Sequence, residues 1–293
     1  MPFVIFRTDL KGEPKFSQKF GKYLISLTSE KLRIDLPPRP ISHANHSTNI
    51  DPKFIEIAAK VSVACDITVF GDEMLGNFED EGGHPNVGAS SRYRVNNDGP
   101  SKYFSNLGTP NNAEIELLKS VLSKDAIGTH AVLAADIWRY GKYIYSGGFF
   151  TEAYLCWIKV MELFGFNKKN ALIHAKRFLD PINIESKLKE KIASRLVEIN
   201  NYRNDYLGHM SNKPYERKVI EKLNKILNKG FYDMLHNFFW DSIQDDLREE
   251  DWHHIDVKII EALSRLCVLQ LGYKVPCKIV KTHHGQSLDV LPL

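Results

Sequence analysis

The stretch "NNYRNDYLGHM", residues 200–210, places Arg203, Asn204 and His209 within seven positions. An arginine offers a planar fork of donors that matches phosphate oxygens. A histidine is the side chain best able to exchange a proton near neutral pH. Arg203 and His209 are six positions apart, about 9 Å along an ideal helix axis and about 120° around it. They share one broad face only if the turn is distorted, and Gly208 offers a place for that. Both then reach one phosphate group, and Asn204 can orient either partner or the substrate. This set fits metal-independent phosphodiester cleavage, in which an RNA 2′-hydroxyl attacks its own phosphorus. The competing reading is a solvated helix end with a satisfied histidine. Tyr202 and Tyr206 flank the set, where they can stack on a base or simply pack.

The loose Arg-to-His pattern recurs at Arg248 with His253 or His254, and at Arg39 with His46. In "LREEDWHHI" two glutamates and an aspartate would repel a phosphate. "PPRPISHANH" is a proline-rich loop with no helical block around it. Context therefore selects Arg203 and His209. The pairs His43 with His46 and His253 with His254 lack a third ligand at metal-binding spacing, which favours surface loops. Cys65, Cys156, Cys267 and Cys277 are scattered, with neither zinc-site nor disulfide-framework spacing. No metal or other cofactor is expected.

The elements that must hold this set are read from texture. A chain of 293 residues suggests two domains. Its 43% hydrophobic and 26% charged content is ordinary for a globular protein with a sizeable core. A net charge of +3 permits nucleic-acid binding without arguing for it. "MPFVIFRTDLKGEPK" has no long apolar run, so no signal peptide is expected. No stretch approaches the length of a membrane span, and a cytoplasmic location is expected.

Residues 1–110 read as a strand- and loop-rich domain. "KYLISLTSEKLRIDLP" and "KFIEIAAKVSVACDITVFG" both promise strands. Residues 71–110, rich in Gly, Asn, Asp, Ser and Pro, read as long loops. Beyond Pro110 the texture turns helical. "NNAEIELLKSVLSK" opens with Asn112 as a cap and aligns Ile115, Leu118 and Leu122. "THAVLAADIWRYGKYIY" aligns Leu133, Ile137, Tyr140 and Ile144. Gly147 and Gly148 break the chain. "FFTEAYLCWIKVMELFGF" is apolar on most sides, as a central helix would be. "NIESKLKEKIASRLVEINN" aligns Ile184, Leu188, Ile192, Leu196 and Ile199 opposite a charged face, which reads as solvated. "YERKVIEKLNKILNKGFYDMLHNFFW" is another long amphipathic segment. Together they read as a helical bundle over residues 111–240. Residues 241–293 read as one more helix, with Ile259, Leu263 and Leu266 aligned, and an extended tail packed on the bundle. The fold class is α+β, mainly α.

On "RNDYLGH" and the helical block around it, the chain resembles the HEPN-domain family, bundles that include many endoribonucleases of bacterial defence and toxin systems. The family motif is an Arg, a polar residue that is often Asn, a few residues, then a His. The spacing here is one residue longer than the commonest form and lies within the loose one. In "FFTEAYLCWIKVMELFGF", Trp157 and Glu162 match a recurring aromatic and acid of the family's second helix. The resemblance covers residues 111–240 and says nothing of residues 1–110.

The resemblance implies a homodimer paired through the bundle, with both motifs facing one cleft. It implies an endoribonuclease in which Arg203 stabilises the charged phosphorane, His209 acts on the 2′-hydroxyl or the leaving 5′-oxygen, and Asn204 fixes geometry. Glu162 either supports that polar site or makes a structural hydrogen bond. Trp157, Tyr154 and Phe164 read as core. The N-terminal domain would sense a trigger or select a substrate. The alternative is a non-catalytic module that binds RNA or a nucleotide, or only dimerises.

Overall fold

The computed structural model describes residues 3–10, 16–28, 31–35, 52–73, 77–79, 85–87, 112–146, 150–166, 172–202, 259–281 and 288–293. The chain is mainly helical with a small antiparallel sheet, an α+β character. It divides into two compact units, Met1–Gly147 and Gly148–Leu293.

The first unit is built on five strands: β1 (Phe3–Thr8), β2 (Phe16–Phe20), β3 (Tyr23–Thr28), β4 (Lys31–Asp35) and β5 (Val69–Glu73). They form one sheet in the order β2-β3-β4-β1-β5, every neighbouring pair antiparallel. Gly21, at φ 55°, makes the tight β2–β3 turn that a side chain would strain. Period-two patterning decides which face is buried. Val4, Phe6, Ile25, Leu27, Leu32 and Ile34 point inward and are buried, while Arg7, Lys19, Lys31 and Arg33 are exposed. The buried face meets α1 (Pro52–Cys65), where Tyr23 and Phe54 stack edge-to-face with centroids 6.0 Å apart.

Both N-terminal segments expected to hold strands do hold them, but "KFIEIAAKVSVAC" is mostly helix. Its Val61 and Val63 are buried within α1 beside Ala58, Ala59 and Ala64. Burial on several sides of a helix outweighs the modest strand preference of β-branched residues. Asp66, at φ 53°, ends the helix, and Ser62 closes the turn by donating its hydroxyl to the Ile67 carbonyl at 2.6 Å. The stretch 71–110, expected as loop, instead finishes β5 and holds the short pair β6 (Asn77–Glu79) and β7 (Pro85–Val87).

Helices α2 (Asn112–Leu122) and α3 (Thr129–Ser146) pack on α1. The two units divide between Gly147 and Gly148, which leaves α2 and α3 in the first. The expected stripe of α3 is corrected. Leu133 and Tyr140 are exposed, at 51% and 54%, and Ile137 and Ile144 are half-buried. The buried face is Ala131, Ala134, Ala135, Trp138, Gly141, Lys142 and Tyr145. The face combines small residues with the fully buried Trp138 and with Tyr145, so complementary shape rather than bulk alone chose it.

The second unit holds α4 (Phe150–Leu163), α5 (Leu172–Leu179) and α6 (Ser186–Tyr202). It continues with helical residues 259–266 running into a π-helix (Cys267–Gly272), and ends in the hairpin β8 (Cys277–Lys281) and β9 (Leu288–Pro292). The end of the expected extended tail forms that hairpin. Ile259, Leu263 and Leu266 are buried as expected, and so are Ile192 and Leu196 of α6. The π-helix packs on α4. Gln270 staples it down: its Oε1 accepts the Asn183 backbone N–H at 3.0 Å and its Nε2 donates to the Cys277 carbonyl.

Candidate active site

The site is approached along α6. Its inward face carries Ile192, Ala193 and Leu196, all buried. Its outer face is charged and solvated as expected: Glu190 and Lys191 are exposed, and Glu190 pairs with Lys176 of α5 at 2.6 Å. Near its end the buried face turns polar, because Asn200 is only 2% exposed. The helix is described to Tyr202, the residue that precedes Arg203. Arg203, Asn204, Tyr206 and His209 lie outside the described residues. So do the competing pairs Arg248 with His253 or His254 and Arg39 with His46, and the segment 215–240.

Glu162 stands in the last turn of α4. Gly165 at φ 95° terminates that helix, with the Gly165 N–H bonded to the Glu162 carbonyl and the Phe166 N–H to the Met161 carbonyl, each at 3.0 Å. This double closure fixes the turn that carries the carboxylate. The Glu162 Oε1 is fully shielded from solvent. Trp157 and Tyr154 of the same helix are core residues, at 0% and 5% exposure, and Phe164 is half-buried.

Sequence reasoning missed a second set of interior polar groups in this unit. Residues 259–266 are buried throughout, and they include Glu261, Ser264 and Arg265 at 5%, 0% and 4% exposure. The Ser264 hydroxyl donates to the Glu261 carbonyl at 2.8 Å. The signal was available: two opposite charges four positions apart, inside an otherwise apolar helix. The four thiols are free. Burial pushes Cys277 up to about 12, so it is a packing residue rather than a nucleophile. Among the described residues no group of His, Cys, Asp or Glu is arranged to hold a metal ion. No helix among them is long and apolar enough to cross a membrane.

Comparison with protein-family models, with curated proteins and with solved structures finds no match to this chain, so the reading of the site rests on its own residues.

Proposed function

We propose that the chain is a metal-independent endoribonuclease, acting in the cytoplasm as a homodimer paired through its helical second unit. One observation carries the reading: the buried face of α6 becomes polar at Asn200, three positions before Arg203 in the chain. A polar interior suits a site where charge develops away from bulk water.

In the proposed reaction the RNA 2′-oxygen bonds to its own phosphorus and the bond to the 5′-oxygen breaks. The products are a 2′,3′-cyclic phosphate and a free 5′-hydroxyl. His209 takes the 2′-hydroxyl proton or supplies one to the departing 5′-oxygen. Arg203 holds the phosphorane oxygens, and Asn204 sets the geometry. Glu162, on a turn fixed by its double closure, supports the site from α4. A defence or toxin role follows only from the family resemblance.

The longer motif spacing favours one alternative, a module that binds RNA without cleaving it. Incubation with total cellular RNA in EDTA, beside His209→Ala, separates the two. The enzyme leaves cyclic phosphate ends and the variant does not. Cleavage that vanishes in EDTA and returns with magnesium overturns the mechanism. RNA that stays bound and intact establishes the alternative.

A further inference from the structure

The solvent face of the five-stranded sheet is not a neutral covering. Registers across the sheet place its outward residues in three rows. Lys19, Leu24 and Asp35 form the first. Ser17, Ser26, Arg33 and Ile5 form the second. Thr28, Lys31 and Arg7 form the third. Lys22 adds a further exposed cation at the sheet's edge, in the β2–β3 turn, with its ammonium 5.2 Å from the centroid of the Tyr23 ring. Arg7, Lys19, Lys22, Lys31 and Arg33 are all exposed. Across β2, β3, β4 and β1 the acid on this face is Asp35, which is buried and clasped by Arg33 through Nε at 2.9 Å and a terminal nitrogen at 2.7 Å. Glu73 stands in register with Ile5, on the β5 edge strand.

The whole chain is nearly balanced, with 39 basic against 36 acidic residues, so this asymmetry is local. Arg7 and Lys31 face each other directly across β1 and β4, which concentrates positive charge on this face. Among the described residues, no ion pair engages Lys19, Lys22 or Lys31. Ordinary protein surfaces intersperse both signs of charge.

The spacing suits a polyanion. Lys31 and Arg33 alternate along β4, and residues two apart on a strand stand about 7 Å apart, comparable to successive phosphates of an extended single strand. Arg33 is held in place by Asp35, with its side chain 46% exposed. Beside it lie the hydroxyls of Ser17 and Ser26, 3.1 Å apart. Hydroxyls next to a guanidinium can both donate to and accept from a ribose 2′-hydroxyl, which a deoxyribose lacks. We infer that this sheet face is a docking surface for the sugar–phosphate backbone of single-stranded RNA. It rests on the ribonuclease reading for its choice of RNA as ligand, and it gives the first unit the task of holding the strand.

The test uses the full chain in a His209→Ala background, so that the probe survives. A fluorescent single-stranded oligoribonucleotide of mixed sequence is titrated by anisotropy over a range of salt. The Lys19→Glu/Lys22→Glu/Lys31→Glu variant should weaken binding tenfold or more. The neutral Gln triple should retain more binding, with its log–log salt slope shallower by about 2, as expected for three lost phosphate contacts on a single strand. Circular dichroism should match the parent, since all three lysines are exposed. Affinity unchanged in the Glu triple overturns the proposal. So does equal or tighter binding of the matching DNA, or capture by phosphatidylserine vesicles without RNA binding. Cleavage is scored separately with the histidine restored. Lost binding in the Glu triple, with no cleavage by wild type, keeps this surface and removes the ribonuclease reading. Wild-type cleavage with unchanged binding in the triple does the reverse.

Discussion

The Asp9 carboxylate accepts the Thr68 backbone N–H through Oδ1 at 2.9 Å, while its Oδ2, equally buried, has no hydrogen-bond partner. Burial pushes this carboxyl above its ordinary value, and the hydrogen bond from Thr68 and the charge of Lys142 only partly oppose that. Lys142 is already engaged by Asp66 at 2.7 Å.

The consequence for stability has a definite sign. An acid whose folded value is raised contributes stability below its unfolded value, and that contribution is lost as pH rises through the folded value. Asp9→Asn keeps the acceptor for Thr68 and removes the buried charge. It should raise the melting temperature at pH 7 by a few degrees, roughly the response to 1 kcal/mol. The gain should shrink to nothing below about pH 4. Thermal melts across that range check it; equal gains at both ends would rule out the ionisation account.

Gln270→Ala should loosen the π-helix. Two bonds are lost, which leaves the Asn183 N–H and the Cys277 carbonyl without this partner. A cost of about 1–3 kcal/mol is expected for the second unit. Hydrogen exchange should quicken at 267–272 and 277–281 while the first unit is unchanged.

Gly165→Ala isolates backbone strain, since an added Cβ there meets nothing within 4 Å. At φ 95° the alanine is disfavoured by conformation alone, costing about 1 kcal/mol. A chemical-denaturation midpoint that does not move would mean the α4 terminus relaxes freely.

At the proposed site, Arg203→Ala and His209→Ala should each lower RNA cleavage by about a hundredfold to ten-thousandfold. Asn204→Ala should cost less, because it orients without moving charge. Arg248→Ala and His253→Ala should be close to neutral. Activity that follows the second pair instead would move the site away from "RNDYLGH".

The strands of the first unit were legible because alternation at Ile25, Leu27, Leu32 and Ile34 is a direct imprint of a one-sided sheet. The helix at 52–65 was not, since Val61 and Val63 carry the same local preference whether or not a sheet and two helices close around them. Leu133 and Tyr140 misled for the opposite reason: bulk marked them as core, whereas the face that α3 buries combines Ala131, Ala134, Ala135 and Gly141 with Trp138 and Tyr145. At the candidate site the chemistry was read wholly from residue types. Trp157 and Tyr154 were correctly expected as core. Asn200 was passed over, because an asparagine at a helix end reads as a solvated cap until its burial is seen.

β1 has one further consequence, for how the chain is made. It leaves the ribosome before both of its partners, β4 and β5. The meander β2-β3-β4 closes between sequence neighbours, so it can assemble early and locally. β1 gains its first edge only when β4 is complete, and its second only after α1 has been synthesised and folded back. Until residue 73 has emerged, Val4 and Phe6 lack their finished setting, and that interval is when the nascent chain is most exposed to mispairing.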